Sequence, residues 1–451
     1  MKILFVANGF PPSGQWGTEY YTHQLATGLA RRGAEVAVLV PSREAGRERY
    51  DLRREVRDGV LVVELANTGD PDKAFEDSYS NERVEEVFAG LCDELRPEVV
   101  HFTHMLWGLS VGLPRVARLA GARTVATLTD FGLLCHRGQL YDWRLSHCDG
   151  PSDRERCAQC VREPGPWDAP PVQRELKRLA VRGAAALGGL GRVVVADDLA
   201  ARDDCIARAV GHVDHWIFPT RTLARPFLAR GWREREHTLL GYGIDEARYR
   251  GPRTRSQATR FVYMSQYMPH KGLACLLEAA RLLERRAPEA AWSVELYGNG
   301  GRDRARLYAR TLVERGLPAR VHDRGSFEPL RAPEVLAKTD CVVVPSEWRE
   351  NAPLTVLQAR AAGVPVLASD VEGVREVLED GRHGRLFPRG DAEALCEAML
   401  AVLRGELDHV APDPLVTLDE HLDAVEAIHA GPERVWTPAP PPRTAALAER
   451  A

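Results

Sequence analysis

The sequence predicts an α/β protein of two doubly wound halves, and three observations carry that prediction. Short apolar runs alternate with amphipathic helical stretches along nearly the whole chain, the pattern of β-α-β units whose parallel sheets lie between helices. At 451 residues the chain is long enough for about two to three domains of roughly 100–200 residues each. The alternation also breaks and restarts: Thr238 to Asp245 runs into glycines, the segment 250–258 is polar, and a new β-α series begins at Phe261. The expected division is a first domain over 1–245, a second over 246–410, and a C-terminal helix with a loose Pro/Ala tail over 411–451.

The first domain opens on a buried strand, Ile3–Ala7. A helix over Thr18–Arg32 puts Tyr21, Leu25 and Leu29 on one face and ends at Gly33, and a strand at Glu35–Pro41 completes the unit. Further strands are expected at Gly59–Leu65, Val99–Phe102, Thr124–Leu128, Arg192–Ala196 and His215–Phe218, with helices at Val84–Leu95 and Leu113–Ala120. In the second domain, strands at Phe261–Met264, Ser293–Tyr297, Val321–Gly325, Cys341–Pro345 and Val364–Ser369 alternate with helices at 272–286, 302–315, 333–338, 353–362 and 391–404. Leu418–Ala430 reads as one more amphipathic helix, and Pro438–Pro442 opens the tail.

Apolar residues make up 44 % of the chain and charged residues 27 %, ordinary proportions for a folded globular protein. The 60 basic and 64 acidic side chains nearly cancel, to −4, which excludes the global basic field of a nucleic-acid-binding chain. No window approaches the roughly 18 uninterrupted apolar residues of a membrane span, and Met1–Ala7 is too short for the core of a signal peptide. The expectation is a cytoplasmic protein with peripheral membrane contact at most. Nine cysteines, an odd number in a large chain, argue against a secreted disulfide framework.

The most informative run is Pro345–Val366. A strand ends at Pro345, a polar loop follows, and a helix starts near Pro353, a residue favoured in the first helical turn. The loop therefore sits at the carboxyl end of a strand, where the first amides of the helix, at Leu354 and Thr355, can face an anion. Glu350 in the same loop can accept hydrogen bonds from sugar hydroxyls. A nucleotide-sugar diphosphate suits both features.

This run, together with Met268-Pro269-His270-Lys271-Gly272, Tyr297-Gly298-Asn299-Gly300 and Asp370-Val371-Glu372-Gly373, resembles family 4 of the retaining glycosyltransferases. That family has the GT-B fold, two Rossmann-like β/α/β domains facing each other across a cleft. Phe10–Glu19 is similar to the family's glycine-rich acceptor-side loop, and Pro219-Thr220-Arg221 with Gly243-Ile244-Asp245 to its interdomain passage. The resemblance implies transfer of a hexose from a UDP- or GDP-sugar to a hydroxyl of a glycan, a lipid-linked sugar or a small-molecule acceptor. It makes Lys271 a diphosphate contact and Glu350 the partner of the transferred sugar. Around the donor it implies Gln266, Asn299, Gly300, Asn351, Ala352, Leu354, Thr355 and Gln358, and on the acceptor side Gly14, Gly17, Glu19, His104, Thr129 and Asp130. No cofactor is then required for catalysis, because a flexible ammonium neutralises a leaving diphosphate where another fold uses a divalent ion.

Three positions depart from the family pattern. Gln266 stands where the family has a phosphate-binding Arg, Gln358 where it has a Glu for the nucleotide ribose, and Thr129 where a His commonly precedes Asp130. Together they motivate an alternative, a weakly active or non-catalytic sugar-nucleotide-binding subunit. A nicotinamide-dependent oxidoreductase is disfavoured, since Gly14-Gln15-Trp16-Gly17 lacks the dinucleotide spacing.

An insertion over 131–170 carries Cys135, Cys148, Cys157 and Cys160, spaced C-x12-C-x8-C-x2-C. Four thiolates including a C-x-x-C pair suit tetrahedral structural zinc, and reduced free thiols are the equal alternative. Trp16, Trp107, Trp143 and Trp167 are candidates for stacking on sugars in the acceptor cleft. The stretch Arg174–Arg182 is basic and amphipathic. Leu176, Leu179 and Val181 are expected to cover a domain core while the arginines face water, with contact to an anionic membrane as the alternative reading.

Overall fold

The computed structural model describes residues 1–431 except 15, 43, 45, 68–74, 152, 166–170, 187–192, 255, 299–307, 313–315, 327, 408–409 and 411–413. Asn299, Gly300, Trp167 and the Pro438–Pro442 tail lie outside the described residues, as does most of the helix expected over 302–315, of which 308–312 are described and helical.

The first sheet has eight strands in the order β3-β4-β2-β1-β5-β6-β7-β8. They are β1 (Lys2–Val6), β2 (Glu35–Ser42), β3 (Leu52–Arg57), β4 (Val60–Ala66), β5 (Val99–Phe102), β6 (Arg123–Thr127), β7 (His215–Phe218) and β8 (His237–Leu239). All neighbours run parallel except β3 and β4. The second sheet is fully parallel, in the order β11-β10-β9-β12-β13-β14. Its strands are β9 (Thr259–Met264), β10 (Trp292–Tyr297), β11 (Val321–Asp323), β12 (Cys341–Val344), β13 (Val366–Ser369) and β14 (Gly384–Phe387). Beyond their first one or two residues the central strands are buried and read as largely apolar runs, as parallel strands covered on both faces must.

The edge strand β14 was not among the expected strands, and three further elements differ from expectation. The strand expected at Arg192–Ala196 does not form; 193–195 are irregular and Ala196 opens a helix, Ala196–Val210. The Asp198 carboxylate accepts the Val195 amide at 2.8 Å, so a helix cap captures the end of an apolar run. β3, Leu-Arg-Arg-Glu-Val-Arg, gave no strand signal because it is an exposed edge. The helix Pro171–Ala186 is inverted: Leu176 and Leu179 are 62 % and 66 % exposed, whereas Arg174 and Arg178 lie partly buried on the protein side.

In each sheet the strand order reverses beside the first strand, between β1 and β5 and between β9 and β12. Ligands of such sheets bind outside the carboxyl ends of the strands at this reversal. Two glycines bring the second lobe's loops together there. A Cβ on Gly272 (φ +70°) would lie 1.7 Å from the Pro345 carbonyl oxygen, and one on Gly373 would lie 2.1 Å from that of Asn351. The Lys271 turn and the Glu350 loop are thus in backbone contact.

The C-terminal helix, Leu418–Ala430, returns from the second lobe to the first. Arg32 reaches Asp419, Asp423 and Glu426 across this seam. Beneath them runs a buried polar chain. His421 Nδ1 donates to the Gly241 carbonyl at 2.8 Å, leaving Nε2 to accept from the Tyr21 hydroxyl at 3.1 Å. Tyr21 and His101 both contact Thr127 Oγ1, and His101 Nδ1 lies 2.9 Å from His429 Nε2.

Burial pushes His421 down to about 4, and burial with the nearby Arg123 charge pushes His429 down to about 3. Burial, then His429 and His421, hold His101 well below its ordinary 6.5. All three are neutral when folded, so below about pH 6.5 the unfolded chain binds more protons than the native one. Stability should be fully present above pH 6.5 and fall on acidification by about 1.4 kcal/mol per pH unit for each histidine. Chemical denaturation between pH 7 and 4.5 measures that slope, and His421→Gln should flatten it; an unchanged slope refutes the assignment. Gly272→Ala should cost more than the about 1–2 kcal/mol of a left-handed residue, because the Pro345 carbonyl must also move. Thermal unfolding of that variant gives the comparison.

Candidate functional site

The reversal points of the two sheets open on one cleft of about 410 Å³. Asn8 lines it from beyond β1, Ser265 and Gln266 from beyond β9, and Pro345 and Ser346 from beyond β12. Lys271 and Glu350 meet at its centre. The Lys271 ammonium donates to Glu350 Oε1 at 2.7 Å, and the Ser346 hydroxyl donates to the same oxygen at 2.5 Å. The ammonium also lies 4.7 Å above the Trp348 ring. Such a buried pair needs these extra partners, since an isolated charge here would be strongly disfavoured. His270, against the edge of Trp348, is held well below its ordinary pKa by burial, then by Lys271 and Arg137, and so adds no charge.

Glu350 has a left-handed backbone (φ +50°), and the turn sends consecutive side chains in opposite directions. Asn351 points to the first lobe. Its amide nitrogen donates to Tyr242 Oη at 3.2 Å and to the Thr129 carbonyl at 3.3 Å, and its carbonyl oxygen accepts from the Thr220 hydroxyl at 2.7 Å. Three of the amide's four hydrogen-bonding directions are used across the domain boundary. The helix Leu354–Ala361 begins three residues later without a side-chain cap, its first bond running from the Val356 amide to the Pro353 carbonyl. The amides of Leu354 and Thr355 precede that bond, and both residues line the cleft, at the helix end where an anion is favoured.

Of the expected donor residues, Gln266, Asn351, Ala352, Leu354, Thr355 and Gln358 all line this cleft. Gln358 is buried beside the Tyr249 hydroxyl. On the opposite wall stand Gly17, Glu19, Thr129 and Asp130 with Trp16 and Trp107. Gly14 is not in the lining: it packs behind Glu19, where a Cβ would lie 2.7 Å from Glu19 Cγ. His104 is also outside the lining, stacked on Trp107 at 5.3 Å. Burial raises the Glu19 carboxyl to about 7 against backbone and Asn8 hydrogen bonds, and raises Asp130 to about 6 against the Gly132 amide.

Sequence reasoning missed Arg137 and Gln139, which the cysteine-bearing insertion delivers into the cleft. The signal was faint, a single arginine in a loop without periodicity. The insertion is also tied to the second lobe: Tyr141 Oη donates to Glu347 Oε2 at 3.2 Å, His147 Nε2 to the Glu347 carbonyl at 2.8 Å, and Arg349 to Asp149 at 2.6 Å. Trp143 does not reach the cleft. It lines a second cavity of about 50 Å³ with Cys135, Cys148, Cys157 and Cys160. All four are free thiols, and burial pushes Cys157 and Cys160 up to about 11. Among the described residues no three His, Cys, Asp or Glu side chains are grouped as closely as a bound metal ion draws them. The insertion is held by its helix Arg154–Arg162 packing on Ala196–Val210 and by the buried Arg202 donating to the Gly132 carbonyl.

The sequence matches the family model described as glycosyl transferase 4-like domain over residues 17–243, half of the chain, and that described as glycosyl transferases group 1 over 258–405. A phosphatidyl-myo-inositol mannosyltransferase of Mycobacterium leprae is 32 % identical over 140 residues, 31 % of this chain and 35 % of that protein. A D-inositol 3-phosphate glycosyltransferase of Nocardia farcinica is 28 % identical over 257 residues, 54 % of this chain and 55 % of that protein. The chain thus spans about a third to a half of the length of these relatives. Among solved structures, sucrose-phosphate synthase from Thermosynechococcus elongatus aligns with a TM-score of 0.59 at 16 % identity, over 94 % of both chains. HepE from Anabaena, in complex with UDP and glucose, aligns with a TM-score of 0.55 at 16 % identity, over 95 % of both. The two parallel-sheet lobes are those of the GT-B fold, and with its family model matched over half its length the chain belongs to the group 1, family 4-like glycosyltransferases.

Proposed function

We propose that the protein transfers a hexose from a UDP- or GDP-sugar to a hydroxyl of a glycan, lipid-linked or small-molecule acceptor, with retention of configuration and without a metal. The observation that carries this is the Lys271–Glu350 pair, set at 2.7 Å beside the two free-facing amides of the helix Leu354–Ala361. The ammonium and the amides converge where a diphosphate leaves, and they stabilise charge that develops only as the sugar bond breaks. Glu350 then turns to the hydroxyls of the transferred sugar. Retention follows if the acceptor attacks from the face the diphosphate vacates, a path that needs no enzyme nucleophile.

Arg137 answers one departure from the family pattern. With Gln266 in place of a phosphate-binding arginine, the cleft takes a second cation from the insertion of the first lobe. The acceptor wall contributes Glu19 and Asp130, whose raised carboxyls can donate as well as accept a hydrogen bond near neutral pH. The alternative of a weakly active binding subunit keeps its motive in Thr129 and Gln358.

Thermal-shift screening of nucleotides identifies the donor base, and anomeric NMR of the product tests retention. Lys271→Ala should lower kcat about 10²–10³-fold, or about 2.7–4 kcal/mol, in a folded protein. Unchanged turnover would dismiss its role. Arg137→Gln should weaken nucleoside diphosphate binding in titration calorimetry by roughly 1.5–3 kcal/mol, the worth of a hydrogen bond to a charged group. Equal affinity in the two proteins would leave the diphosphate to Lys271 and the amides alone. Tight nucleotide binding without transfer or hydrolysis of any donor would select the binding-subunit alternative.

A further inference from the structure

The helix Pro171–Ala186 reverses the usual arrangement of a surface helix. Val172, Leu176 and Leu179, at i, i+4 and i+7, form one ridge and are 74 %, 62 % and 66 % exposed. Eight large apolar side chains are exposed among the described residues, and three of them are on this ridge. The polar side of the helix faces the protein. Arg178 stacks on Trp143 at 5.1 Å and donates to the Pro164 carbonyl, while Arg178 and Arg182 flank the buried Glu163 carboxylate. These contacts fix the helix with its apolar side outward.

From this ridge we propose that the helix docks the protein, lying in plane, on an anionic membrane surface. The helix carries Arg174, Lys177, Arg178 and Arg182 against Glu175 on the helix and Glu163 beneath it, a local excess of +2 in a chain of net charge −4. Outward leucines beside the exposed Lys177 and Arg182 match an interfacial helix, whose apolar side enters the headgroup boundary while such long cationic side chains reach the phosphates. At sixteen residues the helix is about 24 Å long. No helix among the described residues is long and apolar enough to cross a membrane, so the contact is peripheral. A second copy of the chain fits less well: like charges would face each other, and three side chains fall well short of the about 1,600 Å² of a stable interface.

The ridge is also placed usefully. Trp143, on which the helix rests, belongs to the insertion that delivers Arg137 and Gln139 to the cleft. A bilayer bound here lies against the lobe carrying the acceptor wall, a placement that rests on the proposed function, whereas the binding itself does not.

Co-sedimentation of the full chain with vesicles of phosphatidylcholine, alone or mixed with phosphatidylglycerol, tests the proposal. Binding should require the anionic lipid and weaken with salt. Leu176→Asp with Leu179→Asp should lower partitioning at least about ten-fold, and Lys177→Gln about five-fold, with the melting temperature and donor hydrolysis in solution unchanged. Absence of binding to mixed vesicles, equal binding to both kinds, or undiminished binding by the folded double variant overturns the proposal. So does a dimer in sedimentation velocity that the double variant dissolves without any vesicle binding, which would assign the ridge to a second copy. Loss of vesicle binding with transfer to a soluble acceptor intact separates this inference from the reaction; loss of both in a folded variant would overturn it by placing the ridge in the catalytic machinery.

Discussion

The left-handed turn at Glu350 is the constraint from which the cleft takes its form. It lets two adjacent side chains serve opposite lobes: Glu350 turns inward to Lys271 and Ser346, while Asn351 crosses to Thr129, Thr220 and Tyr242. A right-handed residue there would send both elsewhere, and the cost of the conformation is offset by hydrogen bonds that leave neither side chain idle. Placement of the charged pair and registry of the two lobes are therefore one structural fact.

Much of the fold was legible because parallel strands buried on both faces must be apolar throughout. β5, β7 and the helix Leu418–Ala430 lie within the bounds that their patterns set, and most other elements fall within two or three residues of them. What escaped was set by forces without a periodic signature. The run ending at Ala196 is β-branched and apolar, yet one carboxylate two residues on makes it a helix start. β3 is held by backbone pairing to β4 and shows little of the apolar alternation on which strand recognition depends.

The site divided in the same way. Lys271, Glu350, Leu354 and Thr355 stand at the ends of recognisable strands and helices, so motif and topology placed them together. Arg137 and Gln139 belong to a segment positioned by contacts 200 or more residues distant in sequence, such as His147 to Glu347, which no local pattern encodes. His104 was misjudged because residue type says nothing of direction: its ring turns to Trp107 behind the cleft wall. The basic helix misled for a related reason, since periodicity identifies two faces without saying which of them the protein covers.

The two lobes are joined by two passages of backbone, and these are bonded to each other. The Ile244 amide donates to the Val416 carbonyl at 2.9 Å, and the Leu418 amide to the Ile244 carbonyl at 3.0 Å, a short parallel bridge between the outgoing and returning chain. A single-stranded joint swivels about every bond; a laced pair resists splaying and leaves torsion along its common axis as the soft mode. The return passage also makes each lobe topologically incomplete at its apparent border, because Tyr21, His101 and Arg32 each take a partner on residues beyond 418. A recombinant exchange of donor halves between relatives would therefore have to carry a three-piece cut, with the last helix inherited from the parent of the first lobe.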